Sequence, residues 1–174
     1  MTFSHVVTPL IALTSDLAKV RHQLQRIKPA GRTAVTDAVY VGLASTIAQP
    51  GRSLVVVYTD ASDVSSWLEP DEVLNSAKRS NAVVYAVTSG DAQRTAFLED
   101  VTEATGGKGI RVSSTAELRE GFERILREFR SRYILAFTPA GVSGGGLHRL
   151  DVRVKRGGVS VKARPSYVGE DAVR

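Results

Sequence analysis

The chain has 174 residues, of which 43% are hydrophobic and 24% charged, and this suits one ordinary globular domain. It contains no cysteine, which excludes disulfides, thiolate metal sites and cysteine nucleophiles. The net charge is +5, but the basic residues are dispersed and are mixed with Glu at helical spacing in 118–132. That pattern favours solvated helix faces over a nucleic-acid footprint. No apolar run approaches the ~18 residues of a membrane span, and the N-terminus lacks the basic region of a signal peptide.

Strands and helices are predicted to alternate along most of the chain. Residues 6–14 predict an edge strand, because Pro9 cannot donate to a ladder, and Ser15 or Asp16 then caps a helix that ends near residue 27. The remaining predicted strands are 53–59, 82–88, 109–113 and 133–139, and the remaining predicted helices are 34–48, 71–80, 95–105 and 115–130. The alternation predicts an α/β fold: an open, mostly parallel, Rossmann-like sheet flanked by helices.

The pattern changes after residue 140. Residues 147–168 alternate polar and apolar side chains across Gly157-Gly158, which predicts an antiparallel β-hairpin with one solvated face. We therefore expect an α/β domain over residues 1–140, a C-terminal β-hairpin extension of the same domain over 141–168, and a tail over 169–174.

Polar side chains gather where the strand 53–59 ends. Asp60 and Asp63 follow this strand, and Thr33 and Asp37 begin the helix that precedes it. Sites in open α/β sheets lie beyond the carboxyl ends of the strands, so these four side chains are expected near one rim. Hydroxyl and carboxylate oxygens suit a hard cation such as Mg²⁺, Mn²⁺ or Ca²⁺.

Each of these residues also has a structural interpretation. Asp60 can cap the turn after the strand, and Thr33 can cap the helix that follows it. Asp37 favours the positive end of the helix dipole, and Asp63 is expected to be a loop carboxylate at the rim. Trp67 is either a partner anchor or a residue that packs under its loop.

Several segments together resemble the von Willebrand factor type A domain. They are GRTAVTDAVYVGL (31–43), GRSLVVVYTDASDVSS (51–66), AVVYAV (82–87), FLEDVTEATGG (97–107) and SRYILAFTPA (131–140). The tail VKARPSYV (161–168) is similar to the VRARPGYY-like motif of a bacterial branch with a C-terminal strand extension. The resemblance covers residues 3–168, and it rests on the order and spacing of the segments.

The resemblance implies a metal-ion-dependent adhesion site, in which Thr33 and Asp60 match two of the metal-binding loops. In the family a carboxylate from a partner protein completes the metal shell. The implied cation is Mg²⁺ or Mn²⁺, with Ca²⁺ less suited. The family's DxSxS motif, however, is absent from this sequence, so the site is expected to be partial or lapsed. If it is lapsed, the chain binds no cation.

The missing motif belongs to the first strand of the family, which is normally central in the sheet. Its absence would leave strand edges unpaired. Three explanations stay open: a truncated domain, a sheet that closes without the strand, or a strand supplied by a partner chain or by a swap in a homo-oligomer. Members of the bacterial branch are often exported, but this sequence leaves the compartment open.

The sequence therefore predicts a protein-binding module, for adhesion or scaffolding, with a partial or lapsed metal-ion-dependent adhesion site. The alternative is a metal-independent structural or interaction protein. A hydrolase is less favoured, because GxSxG, GxGxxG, GxxxxGK[ST] and HExxH motifs are all absent and TDASD has the wrong spacing for an Asp nucleophile. We expect a protein partner, and neither an enzymatic activity nor a nucleic-acid partner.

Overall fold

The structure, a computed structural model, describes residues 1–28, 31–60, 63–89, 96–142 and 145–169. The strands are β1 (Thr2–Phe3), β2 (Val7–Thr8), β3 (Leu54–Thr59), β4 (Val83–Ser89), β5 (Gly109–Val112), β6 (Gly146–Arg149) and β7 (Ser166–Gly169). The helices are α1 (Leu17–Gln25), α2 (Val35–Ala44), α3 (Pro70–Arg79), α4 (Ala96–Ala104) and α5 (Thr115–Arg130). None of these helices is long and apolar enough to span a bilayer.

A parallel sheet with the order β3-β4-β5 forms the centre of the molecule. Side chains alternate between its two faces, and each face buries a separate apolar cluster. Val57 and Val84 pack under α2, α3 and α4, whereas Val83, Tyr85 and Val87 pack under α5. The predicted open α/β sheet flanked by helices is confirmed.

Helix starts follow local capping rules in two cases. The Asp16 side chain accepts the N–H groups of Ala18 and Lys19, both at 3.1 Å, and thereby caps α1. Ser114 caps α5 by accepting the Glu117 N–H at 3.2 Å. The alternative in which Thr33 caps α2 is wrong, because that helix begins after Ala34 and has no side-chain cap from its own N-cap residue.

Two strand predictions are also wrong. In residues 6–14 only Val7–Thr8 is a strand, and it pairs with β1 in a small antiparallel sheet that ends where Pro9 removes a donor. Residues 133–139 form no strand, and Tyr133 is 89% exposed. An apolar run becomes a buried strand only where a sheet edge receives it. Here Phe137 instead packs edge-on against Tyr167, with ring centroids 5.3 Å apart.

The predicted C-terminal hairpin is confirmed at its base. β6 and β7 pair antiparallel from Gly146↔Gly169 to Arg149↔Ser166. The same register, continued, places Gly157 opposite Gly158, where the chain turns and Gly158 has a φ of 74°. Arg164 then fixes the hairpin to the end of α3 by donating to the carbonyls of Ala77, Lys78 and Ser80 at 3.2, 2.8 and 2.6 Å.

Candidate functional site

The two residues predicted as metal ligands belong to neighbouring segments of the fold. Asp60 directly follows β3 and is exposed, and Thr33 precedes α2 and is half-buried. Both line a groove with a volume of about 1050 Å³. The Thr33 carbonyl accepts the Val64 N–H at 2.9 Å, so the start of α2 is joined to the loop that follows β3. We call the end of β3, the residues 63–68 and the start of α2 the rim.

Asp63 is the residue that organises the rim. Its Oδ2 accepts the Thr36 N–H at 2.7 Å and the Ser66 hydroxyl at 2.6 Å, while its Oδ1 accepts the N–H groups of Ser65 and Ser66 at 3.2 and 3.1 Å. Burial acts to raise the pKa of Asp63, but hydrogen bonds from Ser66 and Thr36 outweigh it and hold the pKa below its usual value. Asp63 thus caps α2 from a distant loop.

Asp37 joins the same loop to α2 from the other side. Its carboxylate accepts the N–H of Trp67 at 3.2 and 3.1 Å and that of Leu68 at 3.0 Å, and its own N–H donates to the Ser66 hydroxyl at 3.2 Å. It lies in the first turn of the helix, as predicted. The structural interpretation of Asp37 is confirmed. Besides lying near the positive end of the helix dipole, its carboxylate holds the loop backbone at Trp67 and Leu68 against α2.

The oxygens that remain for a cation are few. Asp63 and Asp37 already accept several N–H or O–H groups, whereas no hydrogen bond joins the Asp60 side chain to another residue of the described ranges. A turn cap at Asp60 is therefore not seen there. In the same ranges no group of three or more His, Asp or Glu residues could hold a metal ion. A cation at the rim would thus have one carboxylate and one hydroxyl, from Asp60 and Thr33, and would keep most of its waters.

Trp67 is displayed at the rim. It is the chain's single tryptophan, and it is 89% exposed, so the prediction that it packs under its loop is wrong. Its backbone is fixed all the same, because its N–H donates to Asp37. A large aromatic side chain on a fixed backbone is the kind of group that anchors protein interfaces.

The sequence did not reveal how Asp63 and Ser66 act. Their spacing after a strand, an Asp followed three residues later by Ser, is a signal for a local turn in which the Asp side chain accepts backbone N–H groups. The contact with Thr36 joins residues 27 positions apart, and no local pattern predicts it.

Comparisons with known proteins agree with this fold. Residues 1–124 match the von Willebrand factor type A domain family. No curated protein matches the chain. An aerotolerance-related membrane protein from Bacteroides fragilis is similar in structure, with a TM-score of 0.56 at 17% identity over 72% of this chain and 76% of that one. The conserved hypothetical protein BatB from Bacteroides thetaiotaomicron has a TM-score of 0.58 at 14% identity, over 75% of this chain and 77% of that one.

A third solved structure, proximal thread matrix protein 1 from the mussel byssus, has a TM-score of 0.54 at 16% identity. The alignment covers 67% of this chain but 29% of that one. At these identities the likeness shows a shared fold.

Proposed function

Because the chain belongs to the von Willebrand factor type A domain family, we propose that it binds a protein partner through the rim. Domains of this family generally act as interaction modules and not as enzymes. The observation that carries the proposal is the exposure of Trp67 on a loop that Asp63 and Asp37 fix to the start of α2, the helix that Thr33 precedes in the chain. A surface whose backbone is already ordered loses little conformational freedom when a partner binds.

The cation has a minor role in this proposal. Thr33 and Asp60 hold Mg²⁺ or Mn²⁺ weakly, with water in the other positions, and a carboxylate of the partner completes the shell. The support is the chemistry of the two donors and their place on one groove. Neither residue acts on a substrate, and the proposal includes no turnover.

The metal-independent alternative has its own support. The Asp63 and Asp37 carboxylates already accept hydrogen bonds from the rim backbone, so the contact surface is ordered without a cation. In this alternative Trp67 anchors the partner, and Asp60 pairs directly with a basic group of it.

Peptide selection tests the proposal. Peptides are selected from a displayed random library against the wild-type protein, and their affinity is then measured for Trp67→Ala and Asp60→Ala. Loss of a central aromatic anchor costs about 2 kcal/mol or more, so we expect binding at least about tenfold weaker for Trp67→Ala. Because Trp67 is the single tryptophan, bound peptides should also change the intrinsic fluorescence of the protein.

Ile47→Ala is the matched control, since Ile47 is a large, exposed apolar side chain beyond the C-terminal end of α2. Selected peptides that bind Trp67→Ala and Asp60→Ala as tightly as the wild type would contradict the rim as the binding surface. Repeating the titration with Mg²⁺ and then with a chelator separates the two versions, because only the cation-dependent version loses affinity in the chelator.

A further inference from the structure

A second cavity lies along β5, at the opposite edge of the sheet from β3. Its volume is about 850 Å³, which is within the range of about 300–1,000 Å³ that is usual for small-molecule sites. Its walls come from β4, β5, helix α4 and the segment 161–165 of the C-terminal extension. None of the described rim residues lines it, so this cavity is separate from the proposed protein-binding surface.

Gly109, the first residue of β5, accounts for the open space. It pairs with Ala86, which belongs to the apolar cluster beneath α2, α3 and α4, whereas the next residue, Ile110, belongs to the cluster beneath α5. Because successive side chains of a strand alternate between its faces, a side chain at position 109 would project to the α4 face. A Cβ there would meet nothing within 4 Å. A glycine inside a strand often marks a place where a ligand approaches closely.

The inner surface of the cavity is apolar. Ala86, Leu98 and Ile110 are buried and line it from the sheet and from α4, and Val161 and Pro165 line it from the extension. These side chains offer contact to the apolar body of a ligand, and its removal from water would favour binding.

Two exposed lysines, Lys108 and Lys162, line the same cavity. The Lys108 carbonyl accepts the Ala86 N–H at 3.2 Å, which fixes the Lys108 backbone to β4. Lys162 lies two residues before Arg164, which binds three carbonyls at the end of α3 and whose backbone N would lie 3.2 Å from a Cβ on Gly106. The folded backbone thus places both lysines at one cavity, and the ion pairs of the described residues include neither of them.

Positive charge exceeds negative charge around Lys162. Burial lowers the pKa of Lys162, and the cations of Lys108 and Arg132 lower it too, whereas the carboxylates of Glu128 and Glu103 act in the opposite direction. Glu128 already pairs with Arg132, whose Nη2 lies 3.0 Å from its Oε1. An anionic group beside the two lysines would balance this excess.

We propose that the cavity binds a small amphipathic anion, an organic acid whose charged group lies between Lys108 and Lys162 and whose apolar body covers the open position at Gly109. Carboxylate and sulfonate groups share the chemistry that a pair of ammonium groups recognises, because both present several oxygen acceptors with a negative charge. The proposal adds a small-molecule site to the domain and does not depend on the protein-binding function of the rim.

Two fluorescent probes with the same ring system test the proposal on the intact chain. Anilinonaphthalene sulfonate carries the anionic group, and phenylnaphthylamine lacks it. Lys108→Gln and Lys162→Gln each remove one positive charge, so we expect sulfonate binding to weaken about threefold to fivefold in each and about tenfold or more in the double variant. Binding of the neutral probe should not change. Equal sulfonate binding by the wild type and the double variant, or no sulfonate binding by the wild type, would overturn the proposal.

A matched pair of variants tests the cavity itself. Gly109→Leu fills the space and leaves both lysines in place, whereas Gly109→Ala adds only a methyl group. We expect both probes to bind Gly109→Leu about tenfold more weakly than Gly109→Ala. Circular dichroism and thermal unfolding report whether both variants fold. If Gly109→Leu does not fold, the two lysine variants decide the matter, because they change only exposed side chains.

Lys28→Gln is the control for binding elsewhere, since Lys28 lines the groove that contains Thr33 and Asp60. Sulfonate binding that weakens in Lys28→Gln, but not in the double lysine variant, would assign the probe to that groove and overturn the proposal. NMR titration of the Lys162 side chain supplies a second readout. A bound anion favours the charged ammonium group, so the sulfonate should raise the pKa of Lys162 and the neutral probe should not. An unchanged pKa at saturating sulfonate would contradict the placement of the anion.

Discussion

β3 and β4 have nearly the same sequence character and different surroundings. LVVVYT and VVYAVTS are both continuous apolar runs, and both predict strands buried on two faces. The first five residues of β4 are buried, but in β3 only Val57 and Thr59 are. Within the part of the chain that the structure describes, β4 has a strand on each side, whereas β3 has one neighbour. An apolar sequence allows a strand to be buried. Whether the strand is buried depends on the strands and helices that pack beside it.

The two tyrosines of these strands show the same contrast. The Tyr85 hydroxyl in β4 donates to Glu128 and accepts from Arg132 at 2.7 Å, and the side chain is wholly buried. The side chain of Tyr58 in β3 is exposed, and its hydroxyl donates to the half-buried Ser89 at 3.2 Å. β4 is therefore held by a network beneath α5, and β3 keeps an accessible edge beside the rim.

The largest effect is expected where a glycine contacts β4. A Cβ on Gly107 would lie 1.7 Å from the Val84 carbonyl oxygen, and backbone atoms cannot move aside cheaply. Gly107→Ala should lower the free energy of unfolding by about 3 kcal/mol or more. Urea denaturation measures this change in the free energy of unfolding. Gly109→Ala, where a Cβ meets nothing within 4 Å, is the control, and equal effects of the two changes would show that β4 is not tightly covered.

An intermediate effect is expected from Tyr85→Phe. It removes the hydroxyl from the network with Glu128 and Arg132 and should cost about 1–2 kcal/mol of unfolding free energy. Tyr58→Phe should change it by less than about 0.5 kcal/mol, because its hydrogen bond is exposed. A Tyr58→Phe cost as large as that of Tyr85→Phe would remove the contrast between the two strands.

Tyr85 also predicts an alkaline pH dependence. Burial, and then the hydrogen bond with Glu128, raise the pKa of Tyr85 to about 12. The folded state holds the proton more tightly than the unfolded state, whose tyrosine has a pKa of about 10. The stabilisation is complete below pH ~10 and is lost as the pH rises towards ~12. Urea denaturation across this range should show a steeper decline for the wild type than for Tyr85→Phe.

The smallest of these effects is expected at the rim, where the β3 end meets α2. Asp63→Ala removes a helix cap and should cost about 1 kcal/mol, whereas Asp60→Ala should be near neutral. The pKa of Asp63 is depressed, so its stabilisation is present above the unfolded pKa of about 3.9 and is lost as the pH falls below it. When the free energy of unfolding is measured as a function of pH, its decline in acid should therefore be smaller in Asp63→Ala than in the wild type. In Asp60→Ala the decline should be unchanged.

What the sequence could predict was local. The caps at Asp16 and Ser114 act within three residues, and the strands and helices of the sheet follow from runs and spacings of apolar residues. The contact between Asp63 and Thr36 spans 27 positions, and the hydrogen bond from Arg132 to Tyr85 spans 47. Such contacts depend on the assembled fold, and so do the exposure of Trp67 and the failure of 133–139 to join a sheet.

Hydrogen exchange at the β3 amides tests most directly the contrast between β3, with one neighbouring strand in the described residues, and β4, with two. In the dilute protein, NMR should find slow exchange at Val55 and Val57, whose N–H groups face β4, and fast exchange at Leu54, Val56 and Tyr58. Slow exchange at all five amides would mean that a second strand already pairs with this edge, and it would contradict the account.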